Sequence, residues 1–155
     1  MFTQSSVRNA PALTRAKRPT TFLLLPLVAL ALLLSACTPE QLDAFQRVNY
    51  DRSANGVGGL NPQESLMNKA QMWADYLASI GALQHSSVAD GCDPGWWMLG
   101  ENVGSGPSAD AIEQAFLNSP GHRANILNPE FNWAGAGVAV SSNGTVFVVQ
   151  VFGKY

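Results

Sequence analysis

The stretch Ser119-Pro120-Gly121-His122-Arg123-Ala124-Asn125-Ile126-Leu127-Asn128-Pro129 sets the terms for the rest of the chain. Ser119 suits a helix N-cap, where its hydroxyl can accept from a free backbone N–H two or three residues on. Pro120 then falls at the first helical position, where a missing N–H costs nothing. His122 comes third, near the positive end of the helix dipole, which disfavours an imidazolium and keeps the ring neutral. A neutral imidazole can take a proton or ligate a metal. Asn128-Pro129 ends the helix within about two turns, because proline restricts the residue before it. So short a helix, carrying a histidine, is suited to placing a side chain rather than to filling a core.

Working outward, Ser108 caps a preceding helix that turns Ile112, Ala115 and Phe116 inward and ends near Asn118. Residues 87–107 are rich in Gly, Asp, Pro and Ser, with Trp96-Trp97-Met98-Leu99 embedded. Adjacent side chains of an extended segment point oppositely, so the two tryptophans cannot enter one core. One of them is expected at a rim, as edge packing or as the wall of a ligand site. Earlier still, Asn61-Pro62-Gln63-Glu64 reads as a helix start, followed by Leu66, Ala70, Trp73, Leu77 and Ile80 at steps of three and four and closed by Gly81. Trp73 belongs to that apolar stripe. The first such start is Thr38-Pro39-Glu40-Gln41, a capping box, with Leu42, Phe45 and Val48 on one face and Asn49 and Arg52 forming a helix-end polar network.

Downstream the pattern changes to β. Trp133 to Val140 is rich in Gly and Ala, which lets another layer approach closely. Asn143-Gly144 suits a type I′ hairpin turn. Thr145 to Phe152 is nearly continuously apolar and β-branched, as expected of a central strand covered on both faces. Helices ahead of a sheet buried on both sides predict an α/β fold with three α-β-α layers.

Residues 1–36 read as a leader rather than as part of that fold. Arg8, Arg15, Lys17 and Arg18 form a basic stretch, and Phe22 to Leu34 is apolar apart from Pro26. As a helix that run reaches about 20 Å, short of the roughly 30 Å of a bilayer core, so it suits a signal peptide. Leu34-Ser35-Ala36-Cys37 resembles a bacterial lipobox, which implies lipidation of Cys37, cleavage before it, and a domain spanning residues 37–155 held at the extracytoplasmic side of a membrane. That domain carries Arg47, Arg52, Lys69, Arg123 and Lys154 against all 11 acidic residues, a formal charge of −6. So acidic a surface argues against nucleic acid and against anionic headgroups. The other cysteine, Cys92, then has no intramolecular partner, and Asp90 and Asp93 beside it should raise its thiol pKa.

Val48-Asn49-x-x-Arg52, Gly59-Leu60-x-Pro62, Leu83-x-His85-Ser86, Gly100-Glu101-Asn102-Val103, the Ser119–Leu127 stretch and Val149-Gln150-Val151-Phe152-Gly153 follow one another in an order that resembles the CAP superfamily: cysteine-rich secretory proteins, antigen 5 and pathogenesis-related proteins. The likeness is to its compact bacterial SCP-domain branch and covers essentially all of 37–155. It implies an α-β-α sandwich with a central cleft that holds two histidines and two acidic residues, in some members with a divalent metal. Carried over by position, the histidines are His85 and His122 and one carboxylate is Glu101. The second carboxylate, three residues after a helix tryptophan in many members, falls here on Ser119, and the tryptophan on Phe116. Asn102 and Ser119, with Trp96 and Trp97 as the wall their own position suggests, complete the candidate cleft lining.

His85, Glu101 and His122 would make a three-ligand zinc set open to water, or an acid/base pair with an orienting carboxylate. No nucleophile is identifiable. The expectation is therefore a ligand-binding or interaction module of the cell envelope, for a small molecule, lipid or protein. It requires no cofactor and binds a divalent metal such as zinc weakly if at all. A metal-dependent, protease-like hydrolase and a structural envelope protein are the alternatives.

Overall fold

The computed structural model describes residues 37–155. The leader read at residues 1–36 lies outside the described residues; Cys37 is exposed and immediately precedes the first helix.

Helix α1 (Pro39–Ala54) opens with the expected capping box: the Thr38 hydroxyl accepts from Gln41 N–H at 3.1 Å, and Thr38 N–H donates to Gln41 Oε1 at 3.3 Å. Its buried face is Gln41, Ala44, Phe45, Val48 and Arg52. Leu42, assigned to that face by spacing, is exposed, because it lies one step, about 100°, off the buried stripe.

The expected helix start at Asn61 is corrected. Asn61–Pro62 forms a short strand, β1, because Asn61 N–H donates to Asn132 O (3.0 Å) and Gln63 N–H to Ala134 O (3.2 Å). Pro62 takes the position between these two donors, where no N–H is needed. Helix α2 (Glu64–Ile80) begins after Gln63, which makes no side-chain cap, and ends at Gly81 with φ +63°. Leu66, Met67, Ala70, Ala74 and Leu77 are buried, Ile80 is exposed, and Trp73 is half-buried, its ring tilted against that of Tyr76 and its Nε1–H donated to Gln84 O at 3.0 Å.

Strand β2 (Met98–Gly106) runs through the stretch that composition marks only as rich in Gly, Asp, Pro and Ser. Its glycines hide it. A Cβ on Gly104 would lie 2.7 Å from side-chain atoms of Ile112 and Phe116, so close packing fixes glycine where strand composition asks for a larger residue. Helix α3 (Ala109–Asn118) is capped by Ser108 and buries Ile112, Glu113 and Phe116, leaving the expected Ala115 exposed. Helix α4 (Pro120–Ile126) follows after Ser119 alone. Strands β3 (Trp133–Val140) and β4 (Val146–Lys154) complete a four-stranded sheet of order β1-β3-β4-β2, antiparallel except for β1 beside β3. Their hairpin is not type I′, which needs positive φ at two residues. Only Gly144 has it (+85°), after a turn closed by Gly144 N–H to Ser141 O.

Strand β4 alternates between two cores. Phe147, Val149 and Val151, with Val103 of β2, pack on Leu66, Ala70, Ala74 and Leu77 of α2. Val148 and Phe152 face the opposite way, into a core shared by Phe45, Val48, Ile112, Phe116 and Ile126 of α1, α3 and α4. The sheet is thus covered on both sides, and the molecule has the α-β-α layering its sequence predicts. Contact with α2 is close: a Cβ on Gly135 or Gly137 would lie 2.1 or 2.3 Å from the backbone of Leu66 or Ala70.

Candidate functional site

Two buried polar assemblies stand on β2, built from adjacent residues that point to opposite faces. Glu101, with its side chain 4% exposed, reaches the loop after α2. Its Oε1 accepts from Ser86 N–H (2.9 Å) and from His85 Nδ1–H (2.7 Å), and its Oε2 from the Ser86 hydroxyl (2.5 Å). The bond between Nδ1 and the Glu101 carboxylate orients the His85 ring, whose side chain is 64% exposed.

Asn102 points the other way and holds α4. Its Nδ2 donates to His122 O (3.1 Å) and to Gln150 Oε1 (2.9 Å), and its Oδ1 accepts from Asn125 Nδ2 (2.9 Å). The far end of α4 is held by α1. Arg52, 1% exposed, donates to the carbonyls of Ile126 (2.7 Å) and Asn128 (2.9 Å) and to Gly58 O (2.7 Å). Asn49 ties down Leu60 by two hydrogen bonds, at 2.7 and 3.0 Å. The Asn49/Arg52 pair is therefore the polar network the sequence suggests, with backbone carbonyls rather than carboxylates as the arginine's partners. Carbonyls on the guanidinium satisfy the open C-terminal end of α4.

His122 sits at the third position of α4, as read from sequence. The Ser119 hydroxyl makes no capping bond; Ser119 contributes its carbonyl, which accepts from Arg123 N–H at 2.8 Å. The His122 ring lies 4.9 Å from the Phe116 ring. Burial, and then the nearby His85, hold its pKa below the usual histidine value. It borders a cavity of about 450 Å³ whose wall is mainly Leu83, Val103, Ile112 and Phe116, with Ser119 beside the histidine.

The structure thus joins His85 to Glu101, and joins Asn102 to the backbone of His122, with Ser119 and His122 on one cavity. Trp96 and Trp97 are both exposed, Trp97 by 84%, and neither lines that cavity. Neither enters a core, because Trp97 N–H extends the sheet edge by donating to Lys154 O at 2.7 Å before β2 begins. Sequence reasoning did not single out Asn125, Gln150 or Glu113, which brace Asn102. Gln150 carried a readable signal: a lone amide in the apolar run Val146–Phe152 needs a buried partner.

A divalent metal at His85, Glu101 and His122 does not fit this arrangement. Both Glu101 oxygens are already hydrogen-bonded, and among the described residues no three His, Cys, Asp or Glu side chains are grouped to hold a metal ion. The cavity wall is mainly hydrocarbon, with His122, Ser105 and Ser119 as polar points, a setting for an apolar body with a polar end.

Comparison with known proteins gives a consistent picture. The uncharacterized protein YkwD of Bacillus subtilis (strain 168) is 27% identical over 130 residues, which are 75% of this chain and 50% of that protein. The chain therefore spans about half the length of that curated relative. An extracellular protein containing a SCP domain from Bacillus anthracis superposes with a TM-score of 0.65 at 25% identity, over 75% of this chain and 40% of the other. An outer surface protein from Borrelia burgdorferi gives a TM-score of 0.62 at 20% identity, over 71% of this chain and 88% of the other. The model of the Cysteine-rich secretory protein family (CAP) matches residues 45–152. Helix-held histidine, Glu101 and the layered sheet fall within that match, and the chain belongs to the cysteine-rich secretory protein (CAP) family.

Proposed function

We propose that the protein is an exported lipoprotein whose domain binds a small amphiphilic ligand in the cavity beside His122. The observation that carries this reading is the cavity itself: about 450 Å³, walled mainly by hydrocarbon, with His122, Ser105 and Ser119 as its polar side chains. An alkyl or ring body would be driven in by burial of apolar surface, and His122 would accept a hydrogen bond from a hydroxyl or acid head. Export is supported by the leader at residues 1–36 and by relatives described as extracellular or outer-surface proteins. Tethering is supported by the lipobox and by a helix that begins next to Cys37, which would keep the domain close to the membrane. One acyl chain binds a bilayer only marginally, so a stable tether needs more than one on that cysteine.

The reading needs no metal, and zinc would be a weak guest at most. The hydrolase alternative draws on the His85–Glu101 pair, but the Ser86 hydroxyl is spent on Glu101 rather than on the imidazole. A carboxylate–histidine pair without an oriented nucleophile favours binding over catalysis.

Titration of delipidated protein with anilinonaphthalene sulfonate, a probe with an apolar body and one anionic head, tests the cleft. Wild type should show one saturable site. Ala111→Phe, at an exposed position on the cavity rim, should weaken it at least about tenfold, close to 1.4 kcal/mol. His122→Ala should weaken it less. Unchanged binding in Ala111→Phe would sink the proposal.

A further inference from the structure

Away from the cleft, α3 buries a carboxyl that the proposed binding role does not use. Glu113 is 5% exposed. Its Oε2 accepts from Gln150 Nε2 at 2.5 Å, and its Oε1 meets no conventional donor among the described residues. The side chain of Asp51 on α1 lines the same small cavity as Glu113 and is the carboxyl that acts on it. Two carboxylates cannot hydrogen-bond to each other, and a buried oxygen without a partner is costly. A single proton between them resolves both problems, as in carboxyl pairs that share a site. The other groups that face Glu113 across a cavity of about 160 Å³ are Arg47 and Tyr50 from α1 and Asp110 from α3, while β4 presents the uncharged Gln150. Arg47 is already paired with Asp43 and Asp110, so it does not replace the proton.

The partner of Glu113 leads directly to the cleft. Gln150 holds Glu113 with its amide N–H and accepts from Asn102 with its carbonyl, and the same Asn102 nitrogen holds the backbone of His122. Gln150 and Asn102 are fully buried.

We propose that Glu113 and Asp51 share one proton, and that its loss is transmitted through Gln150 and Asn102 to the turn carrying His122. The proton sits on Glu113 Oε1 and is donated to Asp51. When base removes it, it leaves through the small cavity, and two facing carboxylates remain that push α3 and α1 apart. Gln150 then follows the ionised Glu113, and its hold on Asn102 changes. This makes the cleft responsive to alkaline pH, whatever ligand it takes.

Burial first, and then Asp51, push the Glu113 carboxyl from near 4.5 up to about 8. Between those values the folded protein holds a proton that the unfolded chain has lost. Stability from this group is therefore greatest at the acid end, falls as pH rises, and levels off above about 8.

Three measurements test the proposal: NMR titration of the Glu113 side-chain carboxyl, the shifts of the Gly121, His122 and Arg123 amides over the same pH range, and melting temperature against pH. Wild type should show all three moving with one alkaline midpoint. Glu113→Gln keeps a partner for Gln150 and can donate to Asp51. It should lose the amide shifts and lie on a flatter melting curve than wild type, the remaining groups cancelling in the comparison. Asp51→Asn should lower the Glu113 midpoint, and it carries the test should Glu113→Gln not fold. A Glu113 midpoint in the ordinary glutamate range, or one unmoved by Asp51→Asn, refutes the shared proton. Still amides at Gly121–Arg123 while Glu113 titrates refute the transmission.

Discussion

The two faces of the sheet are built on different principles. Toward α2, packing is apolar and very close: Leu66, Ala70, Ala74 and Leu77 meet Val103, Phe147, Val149 and Val151, and glycines in β3 let the helix backbone touch the strand. Toward α1, α3 and α4, the core contains Arg52, Asn102, Glu113 and Gln150 as well as hydrocarbon, and a cavity opens beside His122. Apolar close packing gives stability without specifying a site. Buried polar groups require every partner in place, and that requirement fixes the short helix α4 and its histidine. Apart from the buried Glu101, which holds the loop after α2, one face supports the fold, and the other spends part of its core on positioning.

The largest way to break this division is to add one methyl group on the tight face. Gly135→Ala places a Cβ about 2.1 Å from the Leu66 carbonyl carbon, an atom that no rotamer change can move. The α2 layer must lift from the sheet. The expected cost exceeds about 4 kcal/mol, in the exceptional range for a point mutation. Urea denaturation measures it, and a loss below about 1 kcal/mol would show that this face yields more than its geometry implies.

The polar face should break differently. Arg52→Met preserves much of the stem but leaves the carbonyls of Ile126, Asn128 and Gly58 without their donor. Each lost partner costs on the order of 1 kcal/mol, so about 3 kcal/mol is expected in all. The sharper readout is local. Amides of α4 should lose hydrogen-exchange protection well before those of α2, since one end of α4 is then untied. Equal loss in α2 and α4 would remove the distinction between the faces.

The same contrast explains how much was legible beforehand. Helix starts at Thr38 and Ser108 were readable because caps are local, settled by three or four neighbouring residues, and the start at Pro120 because proline suits the first helical position even without a bond from the Ser119 hydroxyl. The nearly continuous apolar run from Thr145 to Phe152 marks the central strand and hence the layers. Strand β2 was not readable, because its composition answers to α3 through Gly104 rather than to its own conformation. Asn61 was misread for a similar reason: its backbone is claimed by β3, some seventy residues away. At the site, His85, Glu101 and His122 came from a family pattern, and Asn102 with them. Glu113 could not be found that way, since a glutamate on an amphipathic helix looks solvent-exposed until Asp51 and Gln150 are seen beside it.

The smallest effect tests the rim of the tight face. Cys92 is half-buried there, against the α2 cluster, with its thiol donating to Val88 O at 3.1 Å. Its pKa is raised as the sequence suggests, but the main cause is burial, with Asp93 and Asp90 adding less and Lys69 opposing. Such a thiol is a small hydrophobe and a poor nucleophile at neutral pH. Cys92→Ser keeps a donor for Val88 and gives up little apolar area. Stability should fall by less than about 1 kcal/mol, and the melting temperature by no more than about 4 °C. The wild-type thiol should also react slowly with iodoacetamide at pH 7.5 and faster only once the protein is unfolded. A larger fall in melting temperature would mean that the close packing of the α2 face extends to its rim. Rapid alkylation of the native protein would mean that the loop after α2 opens there, and that the tight face is tight only over the strands.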